Sequence, residues 1–300
     1  MNKKVKGSLY LLLASACYAV MPVMVRELNK ELGPIAQVTL RLSVAFLIGL
    51  AVLRKQKHIT HISSLTDLCI LAIMGIFGYG LAIVLLSIGM IQAPINSTLF
   101  LFSVNCIWTS LFAWLFLKEK MQRHTWLALS ISIAGILILF NPANLTANLI
   151  GNVFALLSGI LTATYYVGSR YLGRTKSSIE ITVWSLGFAA LSLLPLMLLS
   201  DMPKQQLSLY TWSIVLLFAL DNFLGYTFVN KGFSHINAAS GSIILLAEPV
   251  LGTMLAYFWY DELPGTLALI GSCLIAASIF VASFPDRRKA TSVLDTQTGL

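Results

Sequence analysis

Charged side chains are scarce in this 300-residue chain, at 11% of its residues, against about 25% in a soluble domain. With 57% hydrophobic residues and a mean hydropathy of +0.83, too little polar surface remains to coat a water-soluble core. Histidine is rarer still. His58, His61, His124 and His235 all fall in short polar connections, and neither His-Glu-x-x-His nor Gly-x-Ser-x-Gly occurs. No Gly-x-x-x-x-Gly-Lys-Ser/Thr phosphate loop is present either, which argues against ATP as an energy source. Only four cysteines occur. Cys17, Cys69, Cys106 and Cys273 sit inside apolar runs without metal-ligand spacing and read as small buried hydrophobes. No cofactor or metal is expected.

Long apolar runs are what the chain has in abundance. A helix crosses about 30 Å of hydrocarbon with about 20 apolar residues. Ten segments approach that length: 7–25, 34–53, 66–88, 94–117, 124–140, 149–169, 178–199, 209–230, 237–259 and 264–284. The expected fold class is an all-α membrane protein with ten transmembrane helices. When the connections are numbered alternately, sixteen of the twenty Lys and Arg fall on one side; Arg26, Lys30 and Lys204 fall on the other, and Arg41 lies within a helix. Lys and Arg accumulate in cytoplasmic loops, so a multi-pass protein of the cytoplasmic (inner) membrane with both termini cytoplasmic is expected. The net charge of +8 is then a topology signal, and no nucleic-acid partner follows from it. Lys3–Lys6 and the apolar run behind them read as the first span, because the run continues through Tyr18–Val25, Ala14 stands where a lipoprotein box prefers Leu, and removing this helix would unbalance the two halves.

Glu119 and Glu262 lie 143 residues apart, each closing an apolar segment. The same offset sets Gln37-Val38-Thr39 on Glu180-Ile181-Thr182 and Gly89 on Gly232. The first helix needs an offset of 144, which sets Gly7 on Gly151 and Arg26 on Arg170. Five spans per half is an odd number, so two such copies enter the membrane in opposite senses, an architecture of secondary transporters. The expected division is a first five-helix repeat at 1–143, a second, inverted repeat at 144–285, and a disordered cytoplasmic tail at 286–300.

These landmarks resemble the EamA branch of the drug/metabolite transporter superfamily. The resemblance rests on Arg41 in helix two, Leu246-Ala247-Glu248-Pro249-Val250 in helix nine, and the closing Glu119 and Glu262. It implies ten helices as two inverted five-helix repeats, and export or import of small organic metabolites such as amino acids or nucleobases. Cys106 stands where the family often has proline, which predicts that helix four is straighter than helix nine.

Polar residues at membrane depth are the candidate site. An ionised side chain at the bilayer centre costs about 2.5–3.5 kcal/mol on insertion scales and needs a partner, water or a function. Glu248 lies mid-way along helix nine and its repeat mate Asn105 mid-way along helix four, while Asp221 and Asn222 are central in helix eight. A substrate- or proton-binding cavity is expected from Glu248, Asp221, Asn105, Arg41 and Asn222, with Trp108, Tyr226, Tyr18 and Tyr165 as aromatic or packing neighbours. For Arg41 a fixed ion pair with Asp221 or Glu248 is the leading reading. Trp108 and Phe112, with Phe223 and Tyr226, either stack on a cationic or aromatic substrate or pack the core. Pro22 and Pro249 are expected kinks, the second freeing a carbonyl near Leu245. Ala268, Ser272 and Ala276 in helix ten, with Ala128 and Ser132 in helix five, permit close approach for internal packing or a homodimer.

The expected function is a secondary transporter that moves a small-molecule substrate through the lipid bilayer by alternating access, proton-coupled or by exchange. Two alternatives stay open. A membrane-embedded enzyme would need a nucleophile and base at depth. A channel-like facilitator is suggested by Gly78-Tyr79-Gly80, but Phe77 precedes the triplet and the run sits in a continuous apolar helix.

Overall fold

Hydrocarbon offers no hydrogen bonds, so a spanning backbone must satisfy its own donors and acceptors. The computed structural model describes residues 2–55, 64–140, 148–200, 206–260 and 265–284, and among these every regular element is helical. Eight helical runs are long and apolar enough to cross a membrane: Lys3–Leu28, Pro34–Arg54, Leu65–Gln92, Ser97–Leu117, Leu149–Leu172, Ser178–Leu199, Leu209–Phe233 and Thr266–Ser283. The segments expected at 124–140 and 237–259 contain shorter apolar helices, Arg123–Leu139 and Ala238–Gly252. Glu262 and the tail expected at 286–300 lie outside the described residues.

The first run is α1 (Lys3–Tyr18) and α2 (Met21–Leu28), interrupted at Ala19 and Val20, with the expected Pro22 in the first turn of α2. Then come α3 (Pro34–Arg54), α4 (Leu65–Ile73), a π-helical stretch Met74–Leu81, and α5 (Ala82–Gln92). α6 (Ile95–Ser103) and α7 (Asn105–Leu117) make one broken run, followed by α8 (Arg123–Phe140), α9 (Leu149–Leu172), α10 (Ser178–Leu199) and α11 (Leu209–Phe233). A second broken run, α12 (Ala238–Leu245) and α13 (Ala247–Tyr260), precedes α14 (Thr266–Ser283). Local chemistry starts several of these. Ser177 and Glu180 form a capping box on α10, and Asn148 and Ser208 cap α9 and α11 through Gly151 and Thr211 amides.

Gly78-Tyr79-Gly80 lies in a helix as expected, but a π-wound one. A Cβ at Gly75 would lie 2.6 Å from the Ser185 carbonyl oxygen, and one at Gly78 would lie 2.8 Å from the Tyr165 nitrogen. The missing side chains let this stretch press on α9 and α10, with Tyr79 fully buried.

Helix four is not the straighter of the broken pair. The chain bends at Val104 (ψ −10°) much as it does at Leu246 (ψ −3°). Pro249 accounts for the second bend: it occupies the first turn of α13, and the Leu245 carbonyl one turn earlier accepts instead from Ser15 Oγ at 3.3 Å. The first bend needs no proline. There the backbone is pressed against Gly159 of α9, whose Cβ would sit 2.9 Å from the Phe102 oxygen.

α8 and α14 approach through glycine. A Cβ on Gly271 would lie 2.5 Å from the Leu139 nitrogen, and one on Gly135 would lie 3.1 Å from the Gly271 oxygen. The buried face of α14 is Gly271, Ile275, Ser278 and Ala282. Ala268 and Ser272 are only half-buried and Ala276 is exposed, so the expected stripe does not carry this contact; Ala128 and Ser132 of α8 are buried, with Ser132 against Cys106 of α7. The cysteine expectation also changes: Cys106 is buried and Cys17 half-buried, but Cys69 and Cys273 are exposed on the helix surface.

One acid tethers a connection. Glu31, after α2, accepts from the Ser208 backbone N–H at 3.0 Å and its hydroxyl at 2.7 Å, and these bonds hold its carboxyl below the ordinary 4.5. A depressed acid stabilises the fold above its unfolded value, and that contribution disappears as pH falls through the folded one. Thermal unfolding of Glu31→Gln is therefore expected to show a small deficit against wild type at about pH 6 that vanishes by about pH 3.

Candidate functional site

The two helix bends meet. Between them lies a narrow cleft lined by Leu99, Phe102, Ser103, Asn105, Tyr166, Leu245, Leu246, Glu248 and Pro249. Residues 143 apart in sequence share its wall: Phe102 with Leu245, Ser103 with Leu246, Asn105 with Glu248. Glu248 is 6% exposed and Asn105 4%, and the Asn105 Oδ1 has no hydrogen-bond partner.

Phe102, Tyr166 and Glu248 also line a second, larger cavity, completed by Tyr18, Met21, Ile83, Leu86, Thr162, Phe218, Asp221, Asn222 and Tyr226. Asp221 is half-buried beside the Cys17 thiol. Asn222 is fixed at both ends: its Nδ2 donates to the Phe218 carbonyl at 2.6 Å, and its Oδ1 accepts from Tyr79 at 3.1 Å. Tyr79 and Asn222 are themselves 143 residues apart.

A tyrosine stack backs this wall. The Tyr226 ring lies 3.8 Å from Tyr79, 5.0 Å from Tyr165 and 5.4 Å from Tyr18, centroid to centroid. Asn230 locks the far side, donating to the Tyr165 hydroxyl and to Thr182, each at 2.8 Å, and accepting from Ser169 at 2.5 Å. Satisfied buried networks of this kind make a wall rigid. The Tyr18 hydroxyl, by contrast, is buried without a partner.

Of the expected residues, Glu248, Asp221, Asn222, Tyr226 and Tyr18 gather at the larger cavity, and Asn105 and Pro249 at the adjoining cleft. Tyr165 stands behind the wall, and the lining residue is Tyr166, one position on and about 100° around α9. Its spacing of four from Thr162, which also lines the cavity, is the signal that would have found it. Trp108 lines neither space. It packs on Phe112 at 6.2 Å, and Phe112 in turn packs with Ala113, Val167 and Ala238, away from Tyr226.

Arg41 departs furthest from expectation. It is fully buried, its guanidinium carbon lies 3.9 Å from the centroid of the Phe218 ring, and none of its nitrogens has a hydrogen-bond partner. The fixed pair with Asp221 or Glu248 is not formed. Cation–π stacking contributes about 2 kcal/mol when desolvated, less than the several kcal/mol that burying an unpaired ion costs.

Away from the cavity, Glu119 gathers four helices. α7 ends at Lys118 in the left-handed conformation (φ 53°), which turns the chain so that Glu119 accepts from Arg170 Nε at 2.8 Å, Arg174 at 3.4 Å and the Ala238 amide at 3.0 Å. Arg170 continues to the Phe233 carbonyl at 3.0 Å and Asn237 Oδ1 at 3.2 Å. Sequence position showed only a helix end; the residue is a junction of α7, α9, α11 and α12.

The model of the EamA-like transporter family matches residues 5–141 and again residues 149–284. The chain belongs to the EamA-like transporter family. Among its relatives is the pseudopaline exporter CntI of Pseudomonas aeruginosa (strain UCBPP-PA14), 25% identical over 277 residues that cover 92% of this chain and 95% of that protein. A probable terminal-alkyne amino-acid exporter of Streptantibioticus cattleyicolor is 22% identical over 72% of this chain and 73% of its own length. The uncharacterized transporter YyaM of Bacillus subtilis is 24% identical over 71% and 72%. One solved crystal structure matches with a TM-score of 0.76 at 18% identity, covering 93% of this chain and 98% of its own, and shows the fold alone. As an EamA-like protein with several membrane-crossing helices, the chain is a multi-pass membrane transporter.

Proposed function

We propose that this EamA-like protein is a secondary transporter that moves a small organic metabolite by alternating access. Its working parts are two inverted five-helix repeats, 1–143 and 144–285, rocking about the shared cavity. The observation that carries this reading is that repeat mates meet there: Asn105 faces one cleft with Glu248, and Tyr79 hydrogen-bonds Asn222. Only residues close to a two-fold axis approach their own mates. The family model matching once in each half supports the same division. In this reading both termini are cytoplasmic, as the cation bias requires, and the Glu119 junction closes the cytoplasmic side. Two relatives named as exporters favour outward transport across the cytoplasmic membrane.

Rocking transport predicts exchange. Liposomes containing the purified protein and an unlabelled metabolite pool are expected to accumulate at least one isotope-labelled member of the same pool, saturably and faster than empty-loaded liposomes. Single-channel conductance, or chemical conversion of that member, would replace this reading with a facilitator or an enzyme.

A further inference from the structure

Three lysines at the cation-rich helix ends meet no carboxylate. Among the acids there, Glu119 is taken by Arg170, Arg174 and the Ala238 amide, Asp67 pairs with Lys176 at 3.3 Å, and Glu180 serves its capping box. Lys3, Lys6 and Lys231 are exposed and have no acidic partner among the described residues. Lys4 faces elsewhere, with its ammonium 3.3 Å from His124 Nε2 and donating to the Phe284 carbonyl.

These lysines converge on one seam. α1 and α11 run antiparallel and close together: a Cβ on Gly7 would lie 2.6 Å from the Ile236 side chain and 2.9 Å from that of His235, and one on Gly225 would lie 2.7 Å from Tyr18. Lys3 and Lys6 are three apart on α1 and Tyr10 follows four further on, so all three share a face. From α11, the Lys231 ammonium lies 4.8 Å from the centroid of the Tyr10 ring, which stacks with Phe228 at 6.3 Å and with His235 at 6.4 Å. Burial, and then the charges of Lys6, Lys3, Lys231 and Arg170, hold His235 below its ordinary 6.5. Glu119 already offsets Arg170. The other three cations act on His235 with no internal counter-ion.

Within one helical turn the same seam becomes apolar. Leu13, three residues past Tyr10, is 41% exposed, and Leu224, four residues before Phe228, is 45% exposed. Tyrosine marks the headgroup level of a bilayer, and lysine ammonium groups reach out to it along their apolar stems. A soluble anion would satisfy the lysines and leave the leucine strip bare. A lipid carries its phosphate directly above an acyl chain, and basic pockets between membrane helices take anionic headgroups. We propose that the α1–α11 seam is a binding site for an anionic phospholipid, whose phosphate sits on Lys3, Lys6 and Lys231 and whose acyl chain follows Leu13 and Leu224 past the Tyr10–Phe228 pair. A zwitterionic headgroup fits less well, because its own cation meets the three lysines.

The test follows the thermal midpoint of the purified full chain in neutral detergent during titration with phosphatidylglycerol, with phosphatidylcholine of the same chains, and with glycerol phosphate or inorganic phosphate. Phosphatidylglycerol is expected to raise the midpoint saturably, with a half-effect at least about tenfold below that of phosphatidylcholine, and the soluble phosphates to leave it unchanged. Replacing Lys3, Lys6 and Lys231 together by Gln should remove that preference, whereas replacing all three by Arg should keep it. Removing three cations at other helix ends, as Arg54→Gln, Lys55→Gln and Arg123→Gln, should also keep it. Lys3→Gln alone, an exposed change in the first turn of α1, should weaken phosphatidylglycerol about fivefold, the effect of one lysine beside an anionic surface, and it keeps the test decisive if the triple variant misfolds. Equal effects of the two lipids would overturn the proposal, as would full retention of the preference in both Gln variants. Equal loss in the Arg54, Lys55 and Arg123 variant would reduce the effect to overall charge, and stabilisation by soluble phosphate would replace the lipid with a free anion; either result also overturns it.

Discussion

Glu248→Gln should reduce transport at least about a hundredfold, equivalent to about 2.7 kcal/mol at 1.36 kcal/mol per decade, while the protein inserts and unfolds as wild type does. Three observations combine to give this expectation. Glu248 is 6% exposed, lines both the cleft and the larger cavity, and opens α13 just after the bend at Leu246. Glutamine keeps the volume and can keep hydrogen bonds, and it spares the fold the cost of burying a carboxylate. What it removes is the ability to gain or lose a proton or to balance a cation, which is the property the proposed alternating access exploits. Asp221→Asn should do less, because Asp221 is half-buried and keeps access to polar surroundings. The check is counterflow in liposomes from about pH 5.5 to about pH 8.5, the range in which a proton-linked site reports itself. A Glu248→Gln protein with wild-type flux and the wild-type pH profile would remove Glu248 from the mechanism.

Eight of the ten expected spans were legible as membrane-length helices among the described residues, because membrane burial selects long apolar runs. The bends were half legible. Pro249 announces its own, since a residue without an N–H must disturb the helix. Val104 announces nothing, because its bend arises where Phe102 meets Gly159 on another helix. Contacts of that kind depend on how helices dock, and one-dimensional spacing does not encode docking. The same limit separates Tyr165 from Tyr166: both are aromatic and both are buried, but only the rotation of α9 decides which one faces the cavity. It also explains Arg41. Chemical reasoning matched it to the two acids, whereas α3 delivers its head group onto Phe218. On α14 the small residues were visible, but the contact uses Gly271 rather than Ala268, Ser272 and Ala276, because only glycine admits the Leu139 backbone at the separation found.

Glu119→Ala should cost about 2–4 kcal/mol of stability. Two independent terms add. The Glu119 and Arg170 side chains are only 12% and 16% exposed, so removing the acid leaves a mostly buried cation with the Phe233 and Ser234 carbonyls and Asn237 as its remaining partners. Losing the bond to Ala238 also uncaps α12, which by itself costs about 1 kcal/mol. Glu119→Gln should fall between, since an amide oxygen still accepts from Ala238 but carries no charge for Arg170. Arg26→Ala, at the repeat mate of Arg170, should change stability by less than about 0.5 kcal/mol, because Arg26 is exposed. The ranking of thermal midpoints for these variants is the measurement, and a Glu119→Ala protein as stable as Arg26→Ala would show that the junction holds nothing together. Transport gives the second half of the argument. α12 leads directly to the Leu246 bend and Glu248, so loosening its capped end frees the half-helix that must move, under the proposed rocking mechanism, if the Glu119 side is to open. Glu119→Gln is therefore expected to favour opening on the Glu119 side, seen as faster labelling of cysteines introduced along the α12 face near Asn237. Unchanged labelling with lowered stability would make the junction a structural clamp and place the moving gate elsewhere.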